Sequence, residues 1–160
     1  MKVITSVLNE QEHKNIEKTF ISQNFPWYYN PSQTNIDKHS YLFHNFYADH
    51  QINSNYYNLI LPILKNINPI ALINIRANLI INRNQVIKCA YHYDKLNNNA
   101  LDHKTLIYYV NTNNGYTEFE NGNKVNCFAN SMVIFKANNK HRGCSQTDSD
   151  YKIIININYF

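Results

Sequence analysis

Tyr151-Lys152-Ile153-Ile154-Ile155-Asn156-Ile157-Asn158-Tyr159 alternates along its length. Successive side chains of an extended chain point to opposite faces. Ile153, Ile155 and Ile157 therefore make one apolar face, and Lys152, Ile154, Asn156 and Asn158 a mixed one. The isoleucine face calls for a covering layer of helices, and the mixed face for the interior of a barrel. Upstream the same period of two predicts strands over 70–81, 85–93, 104–111, 116–119, 124–128 and 131–135. Turn signals separate them at Asn82-Arg83-Asn84, Asn114-Gly115, Asn121-Gly122-Asn123 and Asn138-Asn139.

The period changes towards the N-terminus. Asn9 followed three residues later by Glu12 is a capping-box pattern. Ile16, Phe20 and Ile21 then recur at helical spacing, before Phe25-Pro26-Trp27-Tyr28-Tyr29 ends the helix. A second helix is expected over 54–66, where Tyr57, Ile60, Leu61, Leu64 and Ile67 form a stripe; Pro62 kinks it or marks a later start. The fold expected is mostly β with N-terminal helices: an antiparallel sandwich or barrel with helices packed on one sheet. One domain over 1–160 is expected, helical over about 1–68 and β over about 70–160.

Composition agrees. The chain has 160 residues, enough for one core, and 44% are hydrophobic, which argues against disorder. No apolar run approaches the roughly 18–20 residues of a membrane span. The apolar start turns polar at Asn9, too early for a signal-peptide core, so a cytoplasmic chain is expected. Three cysteines (Cys89, Cys127, Cys144), without CxxC spacing, disfavour a disulfide framework or a zinc knuckle and read as small apolar residues. The net charge of +4 permits an anionic partner without demanding one. Asn occurs 29 times and Ile 20 times against three Arg, the signature of an AT-rich genome such as a virus or a small-genome bacterium. Where either cation serves, such a chain drifts to Lys, so each remaining Arg carries more information than usual.

His92-Tyr93-Asp94 ends a predicted strand, with His92 and Asp94 on one face. One imidazole and one carboxylate at that spacing can bind one metal ion. His141, after the strand ending at Phe135, is a suitable third ligand. Two His and one carboxylate on one side of a metal form the facial triad of non-haem Fe(II) oxygenases.

At these residues the chain resembles the prolyl-hydroxylase-like branch of the Fe(II)/2-oxoglutarate oxygenases. Lys104-Thr105-Leu106-Ile107-Tyr108-Tyr109-Val110-Asn111 is similar to the strand after His-x-Asp in that family. Gly115-Tyr116-Thr117-Glu118-Phe119 is similar to its glycine turn and short strand, and 129–135 with His141-Arg142-Gly143 to its distal-histidine segment. The resemblance covers about 73–160. It implies a double-stranded β-helix, the cupin-like jelly roll, with His92, Asp94 and His141 as Fe(II) ligands. It also implies 2-oxoglutarate and O2 as co-substrates, with oxidative decarboxylation to succinate and CO2 coupled to hydroxylation. The expected substrate is a protein or peptide, first a prolyl or other side chain, or a small molecule. A nucleic-acid base ranks lower because the lysines are scattered, and a non-catalytic metal-binding jelly roll is the third alternative.

The family ordinarily binds the far carboxylate of 2-oxoglutarate with an Arg early in the last strand, where this chain has Lys152. Arg142 is the alternative cation. Lys152 is preferred because neighbouring extended residues point oppositely, and Arg142 adjoins a metal ligand. Tyr109 is implied as a second contact to that carboxylate, and Asn156 is a further hydrogen-bond candidate. Arg76 reads first as a strand-edge ion pair and second as a residue that positions substrate or the metal-side loop. Trp27, Tyr28 and Tyr29 read as packing rather than a substrate rim. His39, Tyr41, His44 and His50 read as surface or core, His103 as a minor candidate substrate contact, and 95–103 as a mobile cover over the barrel mouth.

Overall fold

The computed structural model describes residues 1–31, 40–94 and 103–160. Its centre is the last strand, β11 (Tyr151–Tyr159), which pairs antiparallel with β5 (Leu72–Ile81) on one side and β6 (Lys104–Tyr109) on the other. The sheet has eight strands. Beyond β6 lie β9 (Ser131–Lys136) and the edge strand β1 (Lys2–Thr5); beyond β5 lie β3 (Tyr41–Ala48) and β2 (Tyr28–Asn30), with the two-residue β4 (Gln51–Ile52) hairpinned onto β3. A second sheet holds β10 (His141–Cys144), β7 (Asn113–Phe119) and β8 (Lys124–Cys127) in that order. The two sheets form a jelly-roll double-stranded β-helix.

The outer face of the large sheet is covered by helices. Asn9 caps α1 (Glu10–Phe20): its side chain accepts from Glu12 N at 2.9 Å, and the Glu12 carboxylate accepts from Asn9 N. Ile16 and Phe20, four residues apart, bury themselves on the sheet. Ile153, Ile155 and Ile157 meet them with no exposed surface, together with Ile60, Ile63 and Leu64 from the second helical region. Each isoleucine contributes roughly 1.5–3 kcal/mol by burial. A smaller cluster between the sheets joins Ile107, Tyr109, Phe119, Val125 and Phe135.

Three expectations change. The second helix is α2 (Leu61–Ile67), starting after a 3-10 turn at Tyr57–Leu59; Pro62 sits in the first turn, where its missing N–H costs nothing. The N-terminal part is not simply helical, since β1 to β4 lie within it. Finally, 85–93 is no regular strand. It runs along β10 with isolated bridges at Lys88↔Cys144 and His92↔His141. Four steps from 88 to 92 oppose three from 144 to 141, so one extra residue breaks the ladder. The Ser145 hydroxyl accepts from Ile87 N and donates to Gln85 O in its place.

No helix among the described residues is long and apolar enough to cross a membrane.

Candidate functional site

The bulged segment delivers His92 and Asp94, and β10 delivers His141. Reciprocal backbone hydrogen bonds between His92 and His141, 2.9 and 3.0 Å, lock the two residues side by side. Their ring centroids are 4.6 Å apart. Each imidazole uses Nδ1–H on a nearby carbonyl, His92 on Ala90 O at 3.2 Å and His141 on Asn139 O at 3.1 Å. That fixes the tautomer, so both Nε2 atoms present lone pairs. They face the Asp94 carboxylate at 3.6 and 3.7 Å. One ligand atom from each of the three residues lies within 4.8 Å of the others. Two neutral imidazole nitrogens and one carboxylate oxygen suit a divalent transition metal. Burial holds the His141 pKa below the ordinary value, with His92 pressing the same way and Asp94 opposing, which keeps the ring in the neutral, metal-binding form.

Polar side chains hold Asp94 in turn. Asn156 donates from Nδ2 to Asp94 Oδ2 at 3.3 Å, Asn158 donates to Asn156 Oδ1 at 3.1 Å, and Thr105 donates to Asn158 Oδ1 at 2.8 Å. This chain runs along the mixed face of β11 and across to β6. The buried His103 donates from Nε2 to the Asp94 carbonyl at 2.9 Å and so supports the Asp94 backbone. Asn156 is thus engaged with Asp94.

A cavity of about 180 Å³ opens beside His92 and His141 and runs between the sheets to Lys152. Ile80, Ile107, Ile154 and Thr117 wall it. Lys152 is buried at 3% exposure. Its ammonium donates to the carbonyls of Cys144 at 2.8 Å and Tyr116 at 3.4 Å, and no carboxylate among the described residues pairs with it. A buried ammonium without a counter-charge is costly, and an anionic ligand is what relieves that cost. Gly115 makes room for it: a Cβ there would stand 3.1 Å from Lys152 Cδ and 3.0 Å from Cys144 O.

The other candidates fall elsewhere. Tyr109 is buried and gives its hydroxyl hydrogen to Thr117 Oγ1 at 2.8 Å, so Thr117 rather than Tyr109 meets the cavity. Arg142 turns outward; its Nε donates to Glu118 at 2.7 Å and its guanidinium stacks 4.2 Å from the Tyr91 ring centroid. Arg76 forms no strand-edge ion pair, because β5 is an interior strand and no described carboxylate meets it. Trp27 packs on Phe20 and Phe25 and donates to Phe20 O, while Tyr28 and Tyr29 are exposed. His44 is buried, bonded to Pro26 O and Ser54, whereas His50 occupies a tight turn after β3. Cys144 and Cys89 line the cavity, and burial raises the Cys127 and Cys144 thiols. His39 and residues 95–102 of the cover expected over 95–103 lie outside the described residues.

Sequence reasoning missed the contributions of Thr117, Tyr41 and Asn78 to the cavity wall. Alternation along β7, which places Thr117 with Phe119 on the inner face, was the available signal for the first. Tyr41 and Asn78 needed the pairing of β3 with β5, which no local pattern gives.

No protein-family model and no curated protein sequence matches the chain. Solved structures do match over nearly its whole length. A 2OG-Fe(II) oxygenase-family oxidoreductase from Burkholderia pseudomallei has a TM-score of 0.70 at 10% identity, covering 98% of this chain and 83% of that one. The viral collagen prolyl hydroxylase of Paramecium bursaria Chlorella virus-1 gives 0.64 at 14%, covering 99% and 89%. A prolyl hydroxylase from Trichoplax adhaerens, solved with a hypoxia-inducible-factor peptide fragment, gives 0.65 at 12%, covering 99% and 82%. The chain therefore shares its fold with 2OG-Fe(II) oxygenases, prolyl hydroxylases among them.

Proposed function

We propose that this chain is an Fe(II)- and 2-oxoglutarate-dependent dioxygenase, a single domain over 1–160 that hydroxylates a protein side chain, peptidyl proline first. The observation that carries this reading is one cavity with two matched ends. A His-Asp-His donor set lies at one end, and a buried ammonium with no carboxylate partner among the described residues lies at the other. A 2-oxo acid that chelates a metal and extends a second carboxylate fits that pair.

His92, Asp94 and His141 would hold Fe(II), and Lys152 the far carboxylate of 2-oxoglutarate. Bound iron supplies the oxidising power for O2 chemistry. The remaining work belongs to the protein. The Nδ1–H bonds to Ala90 O and Asn139 O hold both imidazoles in the ligating tautomer. Asn156 and His103 fix the Asp94 side chain and backbone. Ile80, Ile107 and Ile154 keep the co-substrate's stem out of water. Thr117, held by Tyr109, offers a hydroxyl near Lys152. Half-exposed His92 marks the open side, by which a protein side chain can approach.

The test is succinate release with Fe(II), 2-oxoglutarate and O2, without added substrate. Slow formation is expected in the wild type and none in His92→Ala or His141→Ala, both of which should stay folded and lose Fe(II) binding. Metal binding without any succinate would mark a non-catalytic jelly roll and overturn the proposal.

A further inference from the structure

Arg76 is one of only three arginines, and its setting differs from that of the other two. Arg142 is ion-paired to Glu118, and Arg83 is exposed on Ser40. Arg76 is half-buried on the inner face of the large sheet, in register with Asn156, whose amide reaches Asp94. The guanidinium is built into place. Nε donates to Asn78 Oδ1 at 2.9 Å, and one terminal nitrogen donates to the Tyr41 hydroxyl. With its amide turned as its neighbours require, Asn30 accepts from the same nitrogen at 3.1 Å and from Tyr41 at 2.6 Å. The cation lies 4.7 Å from the Phe43 ring centroid. Its second terminal nitrogen has no partner among the described residues, and neither does its charge. Tyr41 and Asn78, which hold it, both line the cavity.

A stacked guanidinium with one open edge and no counter-charge among the described residues is the chemistry that recognises a carboxylate. The charges of the centre point the same way, on the function proposed above. Iron and Lys152 are balanced by Asp94 and the two carboxylates of 2-oxoglutarate, which leaves Arg76 without a counter-charge among the described residues. We propose that Arg76 anchors a carboxylate of the substrate, so that the molecule hydroxylated is anionic and is held by that group beside the metal centre. Arg76 thus sets specificity, while Lys152 serves the co-substrate.

The Nε–H signals of three arginines are resolvable by NMR, and Arg83→Lys and Arg142→Lys assign the third to Arg76 without touching the site. Protein loaded with diamagnetic Zn(II) and saturated with 2-oxoglutarate is titrated with the peptide N-acetyl-Pro-Asp-NH2, its neutral Asn counterpart N-acetyl-Pro-Asn-NH2, and dimethyl phosphate. The expected result is a saturable shift of the Arg76 signal with the acid alone. Arg76→Gln should weaken acid binding by about tenfold or more, the loss of a charge-assisted pair, and Arg76→Lys should restore part of it. An unmoved Arg76 signal, equal response to acid and amide, preference for dimethyl phosphate, or acid binding unchanged in Arg76→Gln but lost in Lys152→Ala would each overturn the assignment. Repeating the titration without Zn(II) and 2-oxoglutarate separates the two proposals. An Arg76 response that persists in protein unable to bind metal leaves the anion site standing and removes the oxygenase reading.

Discussion

The two faces of β11 are built from alternate residues of one nine-residue strand and do opposite work. On the outer face Ile153, Ile155 and Ile157 have no exposed surface and seal the helices to the sheet. On the inner face Lys152, Ile154 and Asn156 line a cavity, and Asn158 continues the hydrogen-bonded chain behind Asp94. The difference teaches that a strand can separate stability from chemistry at a spacing of one residue. Polar groups are tolerated on the inner face because each has a partner: Asn156 has Asp94, Asn158 has Thr105, and Lys152 has two carbonyls. On this face the charge of Lys152 has no balancing carboxylate among the described residues.

The largest effect should come from the outer face. Ile155→Ala leaves a cavity under the helices and should cost about 2–5 kcal/mol. Urea unfolding should show this as a lower midpoint at unchanged slope. The folded fraction should still bind Fe(II) with wild-type affinity; loss of metal binding in the folded protein would break the separation of the faces.

Next comes the inner face. Asn156→Ala removes the hydrogen bond to Asp94 and should weaken Fe(II) binding by roughly 10- to 100-fold, read by anaerobic calorimetry, with little change in the urea midpoint. A large stability loss without a change in metal affinity would make Asn156 a core residue.

Much of this division was legible in the sequence. The alternation in 151–159 predicted which face meets the helices, and Asn9 with Glu12 predicted where α1 begins. β3 was not legible, because Tyr41-Leu42-Phe43-His44-Asn45-Phe46-Tyr47 is aromatic on both faces and has no clean period. β10 was too short to show one. The distal position of His141 was readable, and the structure brings it to His92 and Asp94. The bulge that aims His92, and the polar chain behind Asp94, depend on pairings between distant segments. Arg76 was singled out for its rarity, but its stacking on Phe43 required the register of β3 with β5.

The smallest predicted effect is on pH dependence. Burial lowers the pKa of His44 and of His13, the latter a residue of α1, from the ordinary 6.5. Above that value both are neutral whether folded or unfolded, and neither contributes. As pH falls below about 6.5 the unfolded chain takes up protons first, so stability declines until the folded-state values are passed. The urea midpoint of the metal-free protein should drop modestly over that window. Replacing His44 by Gln should flatten the drop; an unaltered profile would exclude His44 as a source.

The most direct test is a titration of 2-oxoglutarate into the Fe(II)-loaded protein without O2, comparing wild type, Lys152→Ala and Arg142→Ala. Lys152 is buried at the end of the cavity, and Arg142 is turned outward onto Glu118. Lys152→Ala should therefore weaken binding by roughly 10- to 150-fold, the loss of a charge-assisted contact of about 1.5–3 kcal/mol. Fe(II) affinity should stay nearly unchanged, and Arg142→Ala should have little effect. The reverse ranking, or equal affinities in all three proteins, would contradict the assignment of Lys152 to the co-substrate.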